Sequence, residues 1–172
     1  GMGSLLAITL AANNRDKIDS LVLAAPSIYL PTPMWNRMKL QVTSPFIQKT
    51  LPRWALPPSY TDKQQKKTDT NYHWAPMDAI QSFLKFRDVT RVRLTDVQCP
   101  VLILHSRNDS TVSEESPQII IEGISTPAVH KKIKWFTRSD HELFRDCERE
   151  DVIDTVVQYV MVRVDNYNRV GA

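Results

Sequence analysis

Two stretches decide how this chain is read: Cys99–Val112, "CPVLILHSRNDSTV", and Ile133–Glu150, "IKWFTRSDHELFRDCERE". In the first, Val101–His105 is an apolar run without polar alternation, as expected of a strand buried on both faces of a parallel sheet. A polar loop follows, with Asp109 inside it. In the second, Ile133–Phe136 reads as a shorter, alternating outer strand, and the loop after it contains His141. Asp109 and His141 are 32 residues apart (141 − 109), a span filled by one helix, Glu114–Ile124 with Ser113 as its N-cap, and one strand. Adjacent parallel strands bring both loops to the same sheet edge. There a carboxylate can accept from one imidazole nitrogen, fix the tautomer, and leave the other nitrogen free as a general base.

Working outward, Ile18–Ala25 is a third buried strand, ended by Pro26. Helices are predicted over Met2–Asn13 and Asp151–Val164, the latter with Val152, Ile153, Val156, Val157 and Val160 as its apolar stripe. The order helix, strand, insertion, strand, helix, strand, helix is a doubly wound α/β pattern with a three-stranded parallel sheet flanked by helices. The insertion, residues 27–95, holds seven of the eleven prolines and three of the four tryptophans. It is too long for a plain loop. Helical pieces over Met34–Leu40 and Met77–Phe86 make it a mostly helical layer over one end of the sheet. Trp35, Trp54 and Trp74 suit either the lining of a pocket or packing within this insertion.

The chain has 172 residues, enough for one domain with a real core. Its net charge is +3, and the basic clusters Lys63–Lys67 and Lys131–Lys134 read as solvated faces rather than a nucleic-acid footprint. No apolar run approaches the ~20 residues of a membrane span, so no integral membrane segment is expected. Leu5–Ala12 lacks the basic leader and cleavage site of a signal peptide. Cys99 and Cys147 show no CxxC spacing, which fits a reducing, cytoplasmic compartment. No metal site is expected, and His141-Glu142 does not open an HExxH motif because Arg145 stands where the second histidine would be. Taken singly, Asp109 also suits an Asn-Asp-Ser turn, and His141 a hydrogen-bonded loop histidine. His73, His105 and His130 read as structural or surface residues, and Cys147 as a packing thiol.

Taken together, "CPVLILHSRNDSTV…IKWFTRSDHELFRDCERE" resembles the C-terminal part of an α/β-hydrolase, of the carboxylesterase, monoacylglycerol lipase and lysophospholipase kind. That resemblance implies a catalytic acid in the Asp-x-x-Val loop, here Asp109 with Val112. It implies a catalytic histidine after the last strand, here His141 in Ser139-Asp140-His141. Residues 1–26 and 96–172 would be a truncated hydrolase core, and 27–95 its helical cap. The opening Met2-Gly3-Ser4-Leu5-Leu6-Ala7 is similar to the helix start just after the serine of the G-x-S-x-G nucleophile elbow. The nucleophile position is then Gly1, where the serine is missing. Ser4 is no substitute, since the helix carries it away from the elbow tip. Either Gly1 is foreign to the natural chain, or glycine replaces the serine in a longer natural one. Both accounts expect the leading strands and one oxyanion-hole loop to be absent, leaving the Met2 N–H as the remaining oxyanion donor.

The family resemblance implies a Ser-His-Asp hydrolase of small carboxylic acyl esters that needs no cofactor and is inactive as this chain. The alternatives are a non-catalytic hydrolase-fold remnant or interaction module, and a thioesterase or acyltransferase. An unpaired edge on the first strand would favour a homo-oligomer, simplest as a dimer, through Leu5, Leu6, Ile8, Leu21 and Leu23.

Overall fold

The computed structural model describes residues 1–170, the side chains of Tyr167 and Val170 excepted. Three parallel strands, β1 (Leu21–Ala24), β4 (Val101–Ser106) and β5 (Lys131–Phe136), form one sheet in the order β1-β4-β5. The helices around it are α1 (Met2–Asn13), α5 (Met77–Val92), α6 (Glu115–Gly123) and α7 (Arg149–Val170). Between β1 and β4 lie α2 (Thr32–Thr43), α3 (Pro45–Thr50), α4 (Lys63–Lys67) and a two-stranded antiparallel ribbon, β2 (Arg53–Ala55) with β3 (Trp74–Pro76).

The central strand accounts for the architecture. Every residue of β4 is buried. Because successive side chains point to opposite faces, Val101 and Ile103 join Leu5, Ile8 and Ala12 of α1 and Ile120 of α6 in one core. Leu102 and Leu104 turn the other way and pack with Phe136, Leu143 and Val152 of α7. A strand covered on both faces can be apolar throughout, and that is why its sequence does not alternate. β5 is an outer strand and does alternate: Lys132 and Lys134 are exposed, and charges of this kind guard an edge against pairing. Lys131 turns back instead, its ammonium donating to the Ile121 and Ile124 carbonyls at 2.7 and 2.8 Å, where α6 ends and its dipole is negative.

Several boundaries differ from expectation for identifiable reasons. β1 stops at Ala24 rather than Ala25, because Ala25 takes a left-handed φ of 44° and turns the chain out of the sheet. Its N–H still bonds Leu104 O at 2.8 Å. Ser113 does not cap α6, which starts at Glu115; the Ser113 hydroxyl accepts from Glu115 N at 3.3 Å just ahead of it. Gly123 serves close approach rather than a left-handed cap, since a Cβ there would lie 2.9 Å from Leu94 Cδ1. The last helix extends from Arg149, beyond the expected Asp151–Val164.

The segment 27–95 is mostly helical, as its periodicity suggests, with the β2–β3 ribbon added. It has its own apolar cluster around Leu30, Met38, Trp54, Met77, Ile80 and Leu84. α5 is shared: its Phe83 and Phe86 pack against the sheet core, and Thr90 meets Thr9 of α1 at 3.2 Å. Trp54 is buried in this cluster and Trp35 packs against it, while Trp74 is exposed. Arg87 lies over the Trp35 ring at 4.1 Å, Arg37 over Trp54 at 5.2 Å, and Arg53 over Trp74 at 4.1 Å.

The expected oligomer surface needs correcting. Leu5, Ile8 and Leu23 are fully buried in the chain's own core and Leu21 is nearly so, which leaves Leu6 as the one exposed residue of that set. Pairing through those side chains finds no support in the structure. No helix among the described residues is long and apolar enough to cross a membrane.

Because β4 carries both cores, truncating it is costly. Ile103→Ala should lower stability by about 2–5 kcal/mol through lost burial and a residual cavity. Val129→Ala, at a highly exposed position, should stay within about 0.5 kcal/mol. Urea unfolding of the two variants checks the contrast.

Candidate active site

β4 and β5 end side by side, with Ser106 opposite Phe136. The loops leaving them are stitched together at once: the Ser106 hydroxyl donates to Ser139 O, and the Asn108 amide to Thr137 O. Asp109 lies at the tip of the first loop with its side chain only 1% exposed. Its two oxygens have different tasks. Oδ1 accepts the Thr111 and Val112 amides at 2.9 and 2.8 Å and so builds the turn. Oδ2 faces Nδ1 of His141 at 2.9 Å. Burial pushes the Asp109 carboxyl upward, but the His141 contact and the two amides outweigh it and hold it below its ordinary value.

The histidine loop, 137–148, is shaped by carboxylates. Glu148, itself buried, accepts from the amides of Thr137, Arg138 and Ser139 at 3.4, 2.9 and 2.7 Å. Asp140 accepts His141 N at 2.8 Å and reaches across to Ser110 N and Ser110 Oγ at 2.8 and 2.9 Å. Asp146 is buried and takes four amides: Asp140 and Cys147 of its own loop at 2.7 and 2.8 Å, and Thr61 and Asp62 at 2.8 Å each. The segment before α4 is thereby tied to the histidine loop. It also touches the acid loop, with Ser59 Oγ 2.9 Å from Thr111 Oγ1. Sequence reading passes over Asp140, Asp146 and Glu148. Their only signal is the density of acids in "SDHELFRDCERE", and a charge run is usually solvated.

On its far side His141 meets the start of α1. An ideal Cβ built on Gly1 would lie 3.3 Å from His141 Nε2 and 3.9 Å from Ser27 Oγ. Gly1 N donates to Ala24 O at 2.7 Å, at the end of β1. A cavity of about 290 Å³ opens here between Gly1, Ala24 and His141. Met2 is the first residue of α1, so its N–H is one of the opening amides with no acceptor further back in the helix. Ser4 is buried and donates its hydroxyl to Ala24 O at 3.0 Å.

The remaining candidates lie elsewhere. His73 is exposed, with Nε2 3.8 Å from Asp69. His130 sits in the turn before β5. Cys147 is exposed, not packed, and Cys99 is half-buried. Among the described residues no group of three or more His, Cys, Asp or Glu is placed to hold a metal ion.

The Asp146 clasp makes a prediction. Burial pushes its carboxyl up, but the four amides prevail and hold it below its ordinary value near 3.8. A group lowered on folding adds stability that is present above its unfolded value and lost as pH falls through the folded one. Stability should therefore decline below about pH 4. Asp146→Asn, which exchanges an acceptor oxygen for a donor against these amides, should cost about 1–3 kcal/mol at pH 7 and flatten that acid limb. Urea titrations across pH read both effects.

Solved structures of the same fold come from several sources. A metagenome-derived lipolytic enzyme matches with a TM-score of 0.78 at 19% identity, over 94% of this chain and 62% of its own. A monoacylglycerol lipase from Paleococcus ferrophilus matches with 0.74 at 18%, over 95% and 66%. A soluble variant of monoglyceride lipase from Saccharomyces cerevisiae, in complex with a substrate analog, matches with 0.75 at 16%, over 95% and 60%. The chain thus spans about three-fifths to two-thirds of their length, and at these identities the likeness speaks for the fold. The profile of the serine aminopeptidase S33 family matches residues 1–148, and the chain belongs to that family, within the α/β-hydrolase superfamily.

Proposed function

We propose that Asp109 and His141 are the acid and base of a serine-hydrolase site for carboxylic esters, and that position 1 is its nucleophile position. One observation carries this reading: a side chain at position 1 would begin 3.3 Å from His141 Nε2, while Nδ1 of the same ring is held 2.9 Å from Asp109. That is the order of a relay from hydroxyl to imidazole to carboxylate. Asp109, kept ionised, would fix Nδ1 as the protonated nitrogen and steady the imidazolium. Nε2 would then be free to take a proton from a hydroxyl at position 1. The Met2 N–H supplies one donor for the oxyanion of the tetrahedral intermediate. Water, activated by the same imidazole, would release the acyl group. No step calls for a cofactor.

The names of the structural relatives, lipolytic enzymes and monoacylglycerol lipases, support an acyl ester as the substrate class. Residues 27–95 would act as the cap over the acyl group. Their hold on both catalytic loops, through Thr61, Asp62 and Ser59, supports that role.

Glycine at position 1 supplies no nucleophilic side chain. The chain as it stands should therefore show no acyl-enzyme burst and no labelling by a fluorophosphonate, including at Ser4. Gly1→Ser should gain stoichiometric labelling at position 1, and adding His141→Ala should remove it. Labelling of the unmodified chain, or labelling of Gly1→Ser that is indifferent to His141, would overturn the proposal. Intact-mass and peptide mass spectrometry identify the modified residue.

A further inference from the structure

One histidine in the molecule is buried with no explanation from packing or from the site above. His105 sits on β4 with a relative exposure of 0%, and neither ring nitrogen has a hydrogen-bond partner. Its ring meets Trp135 edge-on, with centroids 5.6 Å apart. A neutral imidazole always carries one N–H, and burying that donor unpaired costs about 1–3 kcal/mol. An apolar residue would fill the same space without that cost.

Two acceptors lie near the ring, the Val112 carbonyl and the Asp109 carboxylate, and only the second carries a charge. A carboxylate has about four lone-pair sites. Thr111 and Val112 take two on Oδ1, and His141 takes one on Oδ2. His105 Nε2 lies 3.9 Å from that same Oδ2, on a side chain 0% exposed beside one 1% exposed. We propose that His105 is a positioning residue for the reaction: its Nε2–H is directed at the remaining lone pair of Asp109 Oδ2 and keeps the buried carboxylate ionised and aimed at His141. The proposal rests on the reading of Asp109 and His141 as acid and base.

The role requires a neutral ring. A cationic His105 would neutralise Asp109 and take it from His141. Burial lowers the His105 pKa to about 4; the Asp109 charge and the Val112 carbonyl oppose this, and His141 reinforces it. The ring therefore offers a dipole at neutral pH, not a competing charge. Sequence reading assigns His105 only a structural role, because nothing in "VLILH" distinguishes a strand-end histidine that faces a carboxylate from one that does not.

The test uses the native chain first. NMR of the histidine ring nitrogens should find His105 as the Nε2–H tautomer, neutral from pH 7 down to about pH 4. An Nδ1–H tautomer, or titration near the ordinary value of 6.5, would overturn the proposal. The second measurement is a carboxyl-carbon titration of Asp109. His105→Phe, which keeps a ring but removes the donor, should raise the Asp109 midpoint by about one pH unit, a tenfold change in its ionisation equilibrium. His105→Gln, which returns an amide N–H near the Nε2 position, should restore it. A midpoint unchanged in His105→Phe, or unrestored in His105→Gln, would mean that the ring only fills space. Because the tautomer measurement needs no variant, it decides even if a substitution destabilises the fold. None of these readouts involves position 1 or turnover, so their failure and a failure of Gly1→Ser labelling are distinguishable.

Discussion

Asp109 keeps its carboxylate almost completely out of water, and a charge placed there must be met by donors. Much of the local structure answers that demand. The turn after β4 curls so that two amides reach Oδ1, and the loop after β5 comes close enough for an imidazole to reach Oδ2. The parallel register of β4 and β5 makes this possible, since both strands end together at Ser106 and Phe136. Had the strands been antiparallel, the two loops would have left from opposite ends of the sheet. The pairing of acid and imidazole is thus a consequence of topology before it is one of side-chain chemistry.

The histidine loop has no regular structure of its own, and carboxylates replace the missing ladder. Glu148, Asp140 and Asp146 take up the amides that a strand or helix would have satisfied internally. Charge-assisted bonds of this kind are stronger than neutral ones and narrow the positions open to the backbone. Asp146 does more than shape its own loop, because half of its donors come from Thr61 and Asp62. The placement of His141 and the docking of the 57–62 segment are therefore not independent. A change that loosens one should be felt by the other.

The central strand, the longer helices α1, α2, α5, α6 and α7, and the acid and imidazole loops are legible in the sequence because each follows from a local rule, whereas the short α3 and α4 are not. β4 opens on the apolar run Val101–Leu104 because both its faces are covered, and β5 beside it alternates. The β2–β3 ribbon is not legible, since Arg53–Ala55 and Trp74–Pro76 are too short to show a period and pair across a long connection. The three loop carboxylates are hidden for another reason. Periodicity says which face of an element is buried, but not whether an acid in a loop turns inward to amides. Leu5 and Ile8 mislead in the opposite direction. Their apolar character fits an intermolecular surface as well as an internal core, and only the packing of α1 on β1 and β4 separates the two.

The acid–imidazole pair does not depend on position 1 for its geometry. Asp109 is held by its own turn, and His141 by the amide contacts of Asp140 and, through it, Asp146. No side chain at position 1 enters that set. On the proposed reading the base is therefore preorganised without its nucleophile, and the free energy that aims it comes from backbone amides and buried carboxylates. The energetic burden of the site accordingly falls on β4, β5 and the loops that leave them. On that reading position 1 bears on the chemistry: the nearest atoms to a Cβ there belong to His141 and Ser27, at the cavity's edge.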